Sequence, residues 1–354
     1  MLLALLLAVL AACGGDDSDE GGAASTDPPG STKPTDTEGA YAPQPLDEPA
    51  TLTFSTSGPF EFIFPVHLAI EKGEFAKEGL TVEIVTVPAN AQLAGLAGGE
   101  ADIVGIGASA AAMNAIDQGI ELSFFQNTHD APSEGTTEGI WVRKELLDDD
   151  GALDPDKVDG MKVVLGTQGL ASPTIYVARE MVEDVGRSID DIEVTVLEPN
   201  ADSLVALENG AVDAAHLLSP FSDDPALEDC CALVHETVAA GKYAALRSDL
   251  EDRPEVYEAF TRALIRTQRG YLQGNYHQDA DVAAILAEFT GAPIETVEAA
   301  QTWYGFGDEA RNDDELVIAL QEMWLDFGEI LSYTEPLAIE DMSTQAIVDA
   351  VNGS

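Results

Sequence analysis

Residues 85–102 read VTVPANAQLAGLAGGEAD, and residues 196–213 read VLEPNADSLVALENGAVD. At a shift of 111 residues, six identities align in order: Val85, Pro88, Leu93, Leu96, Gly99 and Asp102 fall on Val196, Pro199, Leu204, Leu207, Gly210 and Asp213. In each copy the proline ends a strand, the two leucines share a helix face, and the glycine supplies the helix C-terminal turn. The aspartate opens the next strand. This repeat predicts two lobes of similar strand–helix–strand design.

Strands and helices alternate around both copies. The pattern predicts strands at residues 51–55, 80–87, 102–106, 121–126, 162–165, 192–197 and 213–217, and helices at residues 65–77, 91–98, 108–118, 173–185 and 202–209. Alternation at this spacing is typical of βαβ units in parallel sheets. The sequence therefore predicts the α/β class.

Two further apolar segments flank the second copy and predict how the lobes are joined. Residues 139–143 and 243–247 are expected to be paired hinge strands, because a chain that leaves one lobe and returns to it must cross twice. We expect lobe I to comprise residues 50–138 and 245–354, and lobe II with its hinge strands to comprise residues 139–244. The helical residues 254–354 are expected to pack on lobe I. Lobes joined in this way open and close about a cleft.

The charge of the chain is strongly negative. The sequence has 354 residues, with 16 Lys and Arg against 65 Asp and Glu, for a formal net charge of −49. Binding to a nucleic-acid backbone requires clustered basic residues, so we expect no nucleic-acid partner. Hydrophobic residues make up 45% of the chain, which is enough for a sizeable core and excludes a fully disordered acidic protein. The acidic residues are expected to lie mostly on the surface.

The N-terminus has the pattern of an exported lipoprotein. Residues 2–10 are an unbroken apolar run, which is too short to span a membrane and has the length of a signal-peptide core. Small residues before Cys13 resemble a lipobox, so residues 1–13 are expected to be a signal peptide with Cys13 as the lipidated residue. Residues 14–49 are rich in Gly, Ser, Thr, Pro and acids, and predict a disordered acidic tether. An ordinary secretory signal is the alternative interpretation.

Several stretches resemble the substrate-binding proteins of ABC importers for nitrate, sulfonates, taurine and thiamine-precursor pyrimidines. The segment PVHLAIEKGEFAKEGLTVE at residues 65–83, residues 93–102 and residues 105–111 are similar to the first lobe of that family, and residues 204–213 and 219–221 to the second. The resemblance implies a type II periplasmic-binding-protein fold with a two-strand hinge and an interlobe ligand cleft. It also implies a small-molecule solute, ABC permease transmembrane subunits as partners, and no enzymatic activity. We further expect a monomer, held by its lipid anchor at the outer face of the cell membrane.

Ligands of open parallel sheets bind beyond the carboxyl ends of the strands, where helix N-termini point into the cleft. The candidate ligand-binding residues in lobe I are Ser57, Phe60, Glu61, Phe62, Asn90, Ser109, Asn127 and Thr128. In lobe II they are Thr167, Gln168, Gly169, Ala171, Ser172, Asn200, Ser219 and Phe221. Ser172 is expected to be a helix N-cap with Pro173 at the first helical position. Plain capping without a ligand is the alternative interpretation of this segment.

The composition of these loops predicts the chemistry of the ligand. They contain no Lys or Arg, so a nitrate or sulfonate would have to be held by N–H and hydroxyl groups alone. Phe60, Phe62, Phe64 and Phe221 are suited to a planar molecule, although Phe62 and Phe64 also fit a core. The expected ligand is therefore a planar heteroaromatic or carboxylate-bearing nutrient.

Other functions are weaker interpretations. Residues 107–111 approach a nucleophile elbow, and residues 105–110 fit a loose dinucleotide fingerprint, but the downstream residues that either motif needs are missing. An interlobe enzyme of menaquinone or pyrimidine biosynthesis and a ligand sensor remain as alternatives. No cofactor is expected, and the five histidines have no metal-ligand spacing. Cys230 and Cys231 fit both a disulfide and two reduced thiols.

Overall fold

Two five-stranded sheets surrounded by helices form the framework of the protein. The computed structural model describes residues 39–130, 136–166, 168–197, 200–219, 221–301, 303–306 and 310–353. The strands are β1 (Ala50–Thr56), β2 (Leu80–Thr86), β3 (Ile103–Gly107), β4 (Leu122–Asn127), β5 (Gly139–Arg143), β6 (Met161–Val164), β7 (Ile192–Thr195), β8 (Ala214–Leu217), β9 (Cys231–Glu236) and β10 (Gly241–Leu246). Cys13, the expected signal peptide and most of the expected tether lie outside the described residues.

The helices connect and cover these strands. They are α1 (Phe64–Glu71), α2 (Ala89–Ala97), α3 (Ala110–Asp117), α4 (Thr174–Glu183), α5 (Asn200–Glu208), α6 (Leu227–Cys230), α7 (Arg247–Asp252), α8 (Pro254–Tyr271), α9 (Ala280–Thr290), α10 (Ile294–Ala299), α11 (Asp314–Phe327), α12 (Ile339–Met342) and α13 (Ala346–Asn352). The helix predicted at residues 65–77 is shorter than expected. It ends at Glu71, because Gly73 takes a positive φ of 68° and turns the chain.

Both sheets have the same topology. The first has the order β2-β1-β3-β10-β4 and the second has the order β7-β6-β8-β5-β9. In each sheet the first three strands of this order are parallel. The fourth strand is β10 in the first sheet and β5 in the second; it is antiparallel to its neighbours, and it follows a segment in which the chain passes from one sheet to the other. The α/β class and the two lobes of similar design are therefore confirmed.

The aspartates of the sequence repeat have the same structural role in both lobes. Asp102 accepts a hydrogen bond from the Thr53 backbone N–H at 2.8 Å, and its own N–H donates to the Thr53 carbonyl. Asp213 makes the same pair of bonds with Lys162, again with 2.8 Å between the carboxylate oxygen and the backbone nitrogen. Asp102 thus joins the start of β3 to β1, and Asp213 joins the start of β8 to β6.

Asp213→Ala is expected to lower the free energy of unfolding by about 1–2 kcal/mol, because the Lys162 N–H loses a charge-assisted partner. Asp213→Asn keeps an acceptor oxygen and should recover more than half of that loss. Urea denaturation of the two variants measures both effects. A wild-type midpoint for the alanine variant would contradict this role.

The chain passes from the first sheet to the second between β4 and β5, and returns at residues 237–240 between β9 and β10. We call these connections the first and second crossing; residues 128–130 and 136–138 of the first are described. A glycine follows each crossing: a side chain at Gly139 would lie 2.0 Å from the His235 carbonyl oxygen, and one at Gly241 would lie 2.2 Å from Thr128 Oγ1. Glycine is therefore required where the two crossings approach each other. The segments expected as hinge strands lie inside the sheets as β5 and β10, and the expected lobe boundary between residues 244 and 245 falls within β10.

The packed structure begins before residue 50, in contrast to the expected tether boundary at residue 49. The Tyr41 carbonyl accepts a hydrogen bond from Arg266 at 2.8 Å, and the Arg269 guanidinium lies 5.0 Å from the centre of the Tyr41 ring. The Gln44 N–H donates to Glu78. Hydrogen bonds to α8 and to the segment before β2 therefore hold this end of the expected tether.

The C-terminal helices do not contact lobe I alone. Helices α8 and α13 pack together beside the first sheet. In α11, however, the buried Trp324 donates its indole N–H to the Leu170 carbonyl of the second lobe at 2.9 Å. The C-terminal region therefore contacts both lobes. A disulfide joins Cys230 and Cys231 at the start of β9.

Candidate functional site

The predicted site residues fall into two groups in the structure. Ser57 and Asn90 are exposed, Thr167 lies outside the described residues, and no side-chain position is described for Asn200. The first group comprises Phe60, Glu61, Phe62, Ser219 and Phe221, of which Phe221 is half-buried in the turn after Ser219. Glu61 and Ser219 line a small closed crevice with His277, Leu286, Thr290, Val297 and Ala300. The second group lies where loops of the two lobes pack directly on each other.

The second group is closely packed. A side chain at Gly107 in lobe I would lie 3.1 Å from the Pro173 ring in lobe II. Ser109 caps α3 by accepting from the Ala112 N–H. The Ser172 hydroxyl accepts from the Thr174 N–H at 3.3 Å, but α4 begins at Thr174 with Pro173 at its N-cap, one residue later than predicted. In the loop before it, Gln168 and Ala171 are half-buried and Gly169 takes a positive φ of 53°. The backbone N–H groups that donate these bonds to Ser109 and Ser172 were expected to face a ligand.

Aromatic rings form one wall of the first group. The Phe60 and Phe62 rings are stacked, with centres 5.3 Å apart and planes 8° apart. The centre of the Phe62 ring lies 5.6 Å from the centre of the His129 ring. The His129 and Tyr304 rings pack edge to face, with centres 4.7 Å apart. We call this row of rings the aromatic wall; Phe60 and Phe62 in it also pack against the core of lobe I. Phe64 does not contribute to it, because its ring is fully buried and packs beside Phe289 of α9.

Glu61 is buried beside this wall. Its Oε1 accepts from the Tyr276 hydroxyl at 2.5 Å and contacts His277 Nε2 at 2.6 Å. The Tyr276 oxygen in turn accepts from the Tyr304 backbone N–H at 3.3 Å. His277 Nδ1 is buried without a hydrogen-bond partner. The 3-10 turn that contains Tyr276 and His277 thus holds the Glu61 carboxylate at the crevice.

Glu138 is a second carboxyl group that sequence reasoning missed. It lies in the first crossing and is fully buried. Its Oε1 accepts from the Tyr304 hydroxyl at 2.6 Å and from the Ser219 N–H at 2.7 Å, while its Oε2 has no hydrogen-bond partner. Burial raises the pKa of Glu138 to about 8, against the lowering effect of those two hydrogen bonds, and nearby Glu61 and Asp223 raise it further.

Asp223 contributes a third carboxyl group from lobe II. It accepts from the Thr137 hydroxyl at 3.0 Å and from the Ser219 hydroxyl at 3.2 Å. Burial raises its pKa, and the charge of Glu61 acts in the same direction. We call Glu61, Glu138 and Asp223 the acidic cluster. Its members come from lobe I, the first crossing and lobe II, so movement of the lobes would change its geometry.

Lys242 is a buried, charged neighbour of His129. The buried ammonium donates to Asn127 Oδ1, and the neighbouring Thr128 hydroxyl lies 2.7 Å from His129 Nδ1. Burial lowers the pKa of Lys242 to about 8, while Asp313, Asp314 and Asp130 raise it. Burial also lowers the pKa of His129 to about 3, with a contribution from the Lys242 charge. Lys242 is thus a buried cation with acidic neighbours of its own.

Sequence spacing carries no signal for most of this site. Tyr304 lies 166 residues after Glu138, and Tyr276 lies 215 residues after Glu61. They come together because the C-terminal region returns to the crossings. In the part of the chain that the structure describes, no group of three His, Cys, Asp or Glu side chains is placed to hold a metal ion. Among the same residues, no helix combines the length and apolar character needed to cross a bilayer.

Comparison with known proteins identifies a family. A family model described as the NMT1-like family matches residues 48–287, which include both sheets and the acidic cluster. No curated protein matches the sequence.

Three solved structures of bacterial binding proteins have a similar fold. The periplasmic nitrate-binding protein NrtA from Synechocystis PCC 6803 is similar with a TM-score of 0.64 and 13% identity, over 86% of this chain and 89% of that one. The periplasmic aliphatic sulphonate-binding protein SsuA from Escherichia coli gives a TM-score of 0.59 and 17% identity, over 83% and 92%. SsuA from Xanthomonas axonopodis pv. citri bound to MOPS gives 0.57 and 18%, over 80% and 93%. The predicted periplasmic-binding-protein fold is confirmed.

Proposed function

Because the chain belongs to the NMT1-like family, we propose that it is the solute-binding protein of an ABC importer and has no catalytic role. It captures a small molecule between its lobes and delivers it to the permease subunits. The observation that carries this proposal is the fold itself: two sheets of the same topology, with the buried Glu138 hydrogen-bonded at their junction to Ser219 and Tyr304. The similarity in fold to nitrate- and sulphonate-binding proteins supports the same function.

The place of action follows from the sequence of the N-terminus. We propose that the protein acts outside the cytoplasm as a monomer, attached to the outer face of the cell membrane through Cys13. The tether that we propose ends at about residue 40, where Tyr41 begins to contact α8. Residues 50–138 with the chain after β10 form lobe I in this proposal, and residues 139–240 form lobe II. Because such a tether is flexible, the lobes can close without moving the membrane anchor.

The ligand-binding residues that we propose are those of the first group. Phe60 and Phe62 provide a stacking surface, Glu61 and Ser219 provide polar contacts, and Phe221 contributes a half-buried ring from lobe II. A planar ring fits this arrangement better than an inorganic anion. Of the two nutrient types expected from the sequence, the carboxylate-bearing one is disfavoured, because it would place a negative charge beside buried carboxyl groups.

Native mass spectrometry of the protein as purified tests solute capture. We expect a bound molecule of small mass that dissociates after mild unfolding and rebinds to the refolded protein with 1:1 stoichiometry. Small-angle scattering should show a smaller radius of gyration with the molecule than without it, because the lobes close. A purified protein that neither carries nor rebinds a small molecule from culture medium would contradict the proposal.

A further inference from the structure

We propose that the hydrogen-bonded bridge from Tyr304 through Glu138 to Ser219 is a proton-controlled latch that holds the lobes in the closed arrangement of the structure. Glu138 lies in the first crossing, and its Oε1 accepts from the Tyr304 hydroxyl at 2.6 Å and from the Ser219 N–H at 2.7 Å. This inference rests on the proposed function, because it concerns the lobe movement by which a solute is captured. It adds a control of that movement by the pH of the medium.

The latch joins the two lobes through one carboxyl group. Tyr304 belongs to lobe I, since its ring lies in the same buried cluster as Phe64 and Leu68 of α1. Ser219 follows β8 in lobe II. Because one oxygen of Glu138 accepts from both of these donors, separation of the lobes has to break at least one of the two hydrogen bonds.

The backbone of Glu138 is fixed at the point where the two crossings meet. Its N–H donates to Thr136 Oγ1 at 3.0 Å, and its carbonyl accepts from the Thr237 N–H of the second crossing, also at 3.0 Å. The next residue is Gly139, where a side chain would lie 2.0 Å from the His235 carbonyl oxygen. Domain movements are absorbed by a few such connecting residues. A change in the charge of this side chain therefore acts directly on the hinge.

The closed arrangement favours the neutral form of Glu138. Among the described residues, no donor reaches its buried Oε2, so an ionised carboxylate would place negative charge on an unpaired oxygen. Burial raises the pKa of Glu138 from 4.5 to about 8, and the charges of Glu61 and Asp223 act in the same direction. When the lobes separate, water reaches the carboxyl and its pKa falls towards the ordinary value. Closure therefore takes up a proton between these two pH values, and the closed arrangement weakens as pH rises to 8.

Other titratable and charged groups face the latch from each element packed against it. They are Glu61, Tyr276, His277 and Tyr304 from lobe I, Asp223 and His216 from lobe II, and His129 and Asp130 from the first crossing. Burial lowers the pKa of His129 to about 3 and that of His216 to about 4. Burial raises the pKa values of Tyr276 and Tyr304 well above their usual range. These four groups therefore keep the same charge between pH 6 and pH 9.

Lys242 is a neighbouring group that also titrates near pH 8, because burial lowers its pKa to about 8. Its charge acts on His129. The charges that act on Glu138 are those of Glu61 and Asp223. Glu138→Gln leaves Lys242 in place, so a comparison of this variant with the wild type assigns the titration to one of the two groups.

Small-angle scattering of the full chain from pH 6 to pH 9, after removal of any co-purified molecule, tests the latch. The radius of gyration of the wild-type protein should increase with pH. The ratio of closed to open molecules should fall at least tenfold between pH 6 and pH 8, because uptake of one proton changes it by up to tenfold per pH unit. Glu138→Gln is neutral at every pH and keeps an acceptor oxygen, so its radius should stay at the wild-type value of pH 6.

Glu83→Gln, at an exposed position of β2, is the matched control and should keep the pH dependence of the wild type. Three results would overturn the inference: a wild-type radius that stays constant, an increase that occurs only with loss of the far-UV circular dichroism signal, or an increase that persists in Glu138→Gln. The wild-type series alone decides the first two. Since no solute is present, the latch can fail while a co-purified molecule still rebinds, so the two proposals fail separately.

Discussion

Glu138→Gln is expected to stabilise the protein at pH 8, although it removes a carboxyl group of the acidic cluster. Burial raises the pKa of this carboxyl from 4.5 to about 8, so between these values the folded protein keeps a proton that the unfolded chain has lost. Stability associated with the neutral form is complete below pH 4.5 and is lost as pH rises to 8. Glutamine is neutral at every pH and keeps an oxygen for the Tyr304 and Ser219 donors. The gain in free energy of unfolding at pH 8 should be roughly 2–4 kcal/mol.

Denaturation at pH 5 and pH 8 measures this gain. At pH 5 the variant and the wild-type protein should differ by less than about 1 kcal/mol. Glu83→Gln is a matched control, because Glu83 is an exposed residue of β2 and its replacement should leave the difference between the two pH values unchanged. A Glu138→Gln variant that is less stable than the wild type at pH 8 would indicate a purely structural carboxylate.

Arg266→Met is expected to produce the largest loss of stability. The guanidinium is fully buried and donates to Glu74 at 2.6 Å, to Glu78 at 2.7 Å and to the carbonyls of Glu74 and Tyr41. Arg262 satisfies only the other oxygen of Glu78. Without Arg266, the buried Glu74 keeps only the more exposed Lys77 as a counter-charge and Glu78 keeps only Arg262. Removing one partner of a buried ion pair costs about 3–5 kcal/mol.

The control for this variant is Arg179→Met in α4, where the exposed pair with Glu183 should contribute about 0.5 kcal/mol or less. Urea denaturation of both variants tests the difference. The double variant Arg266→Met with Glu78→Gln should recover part of the loss, because one unpaired charge is removed. A loss below 1 kcal/mol for Arg266→Met alone would show that the buried network contributes little.

The repeated segment was sufficient to predict the α/β class and two lobes of similar design. The reason is local: strand-ending proline, helix-turn glycine and strand-opening aspartate act within a few residues of their own position. Asp102 and Asp213 therefore make equivalent bonds in the two lobes. The stacked pair of Phe60 and Phe62 was also predictable, because these two residues are close in sequence.

The acidic cluster was decided by the tertiary structure alone. Glu61 was predicted without partners, and Glu138 was not predicted at all, because its partners Tyr304 and Ser219 come from a C-terminal segment and from lobe II. The same applies to Arg266 and its two glutamates. Sequence by itself determined the repeated architecture, which depends on backbone conformation and short-range bonds. The charge environment of the crevice depends on which distant groups are buried together, and only the path of the folded chain establishes that.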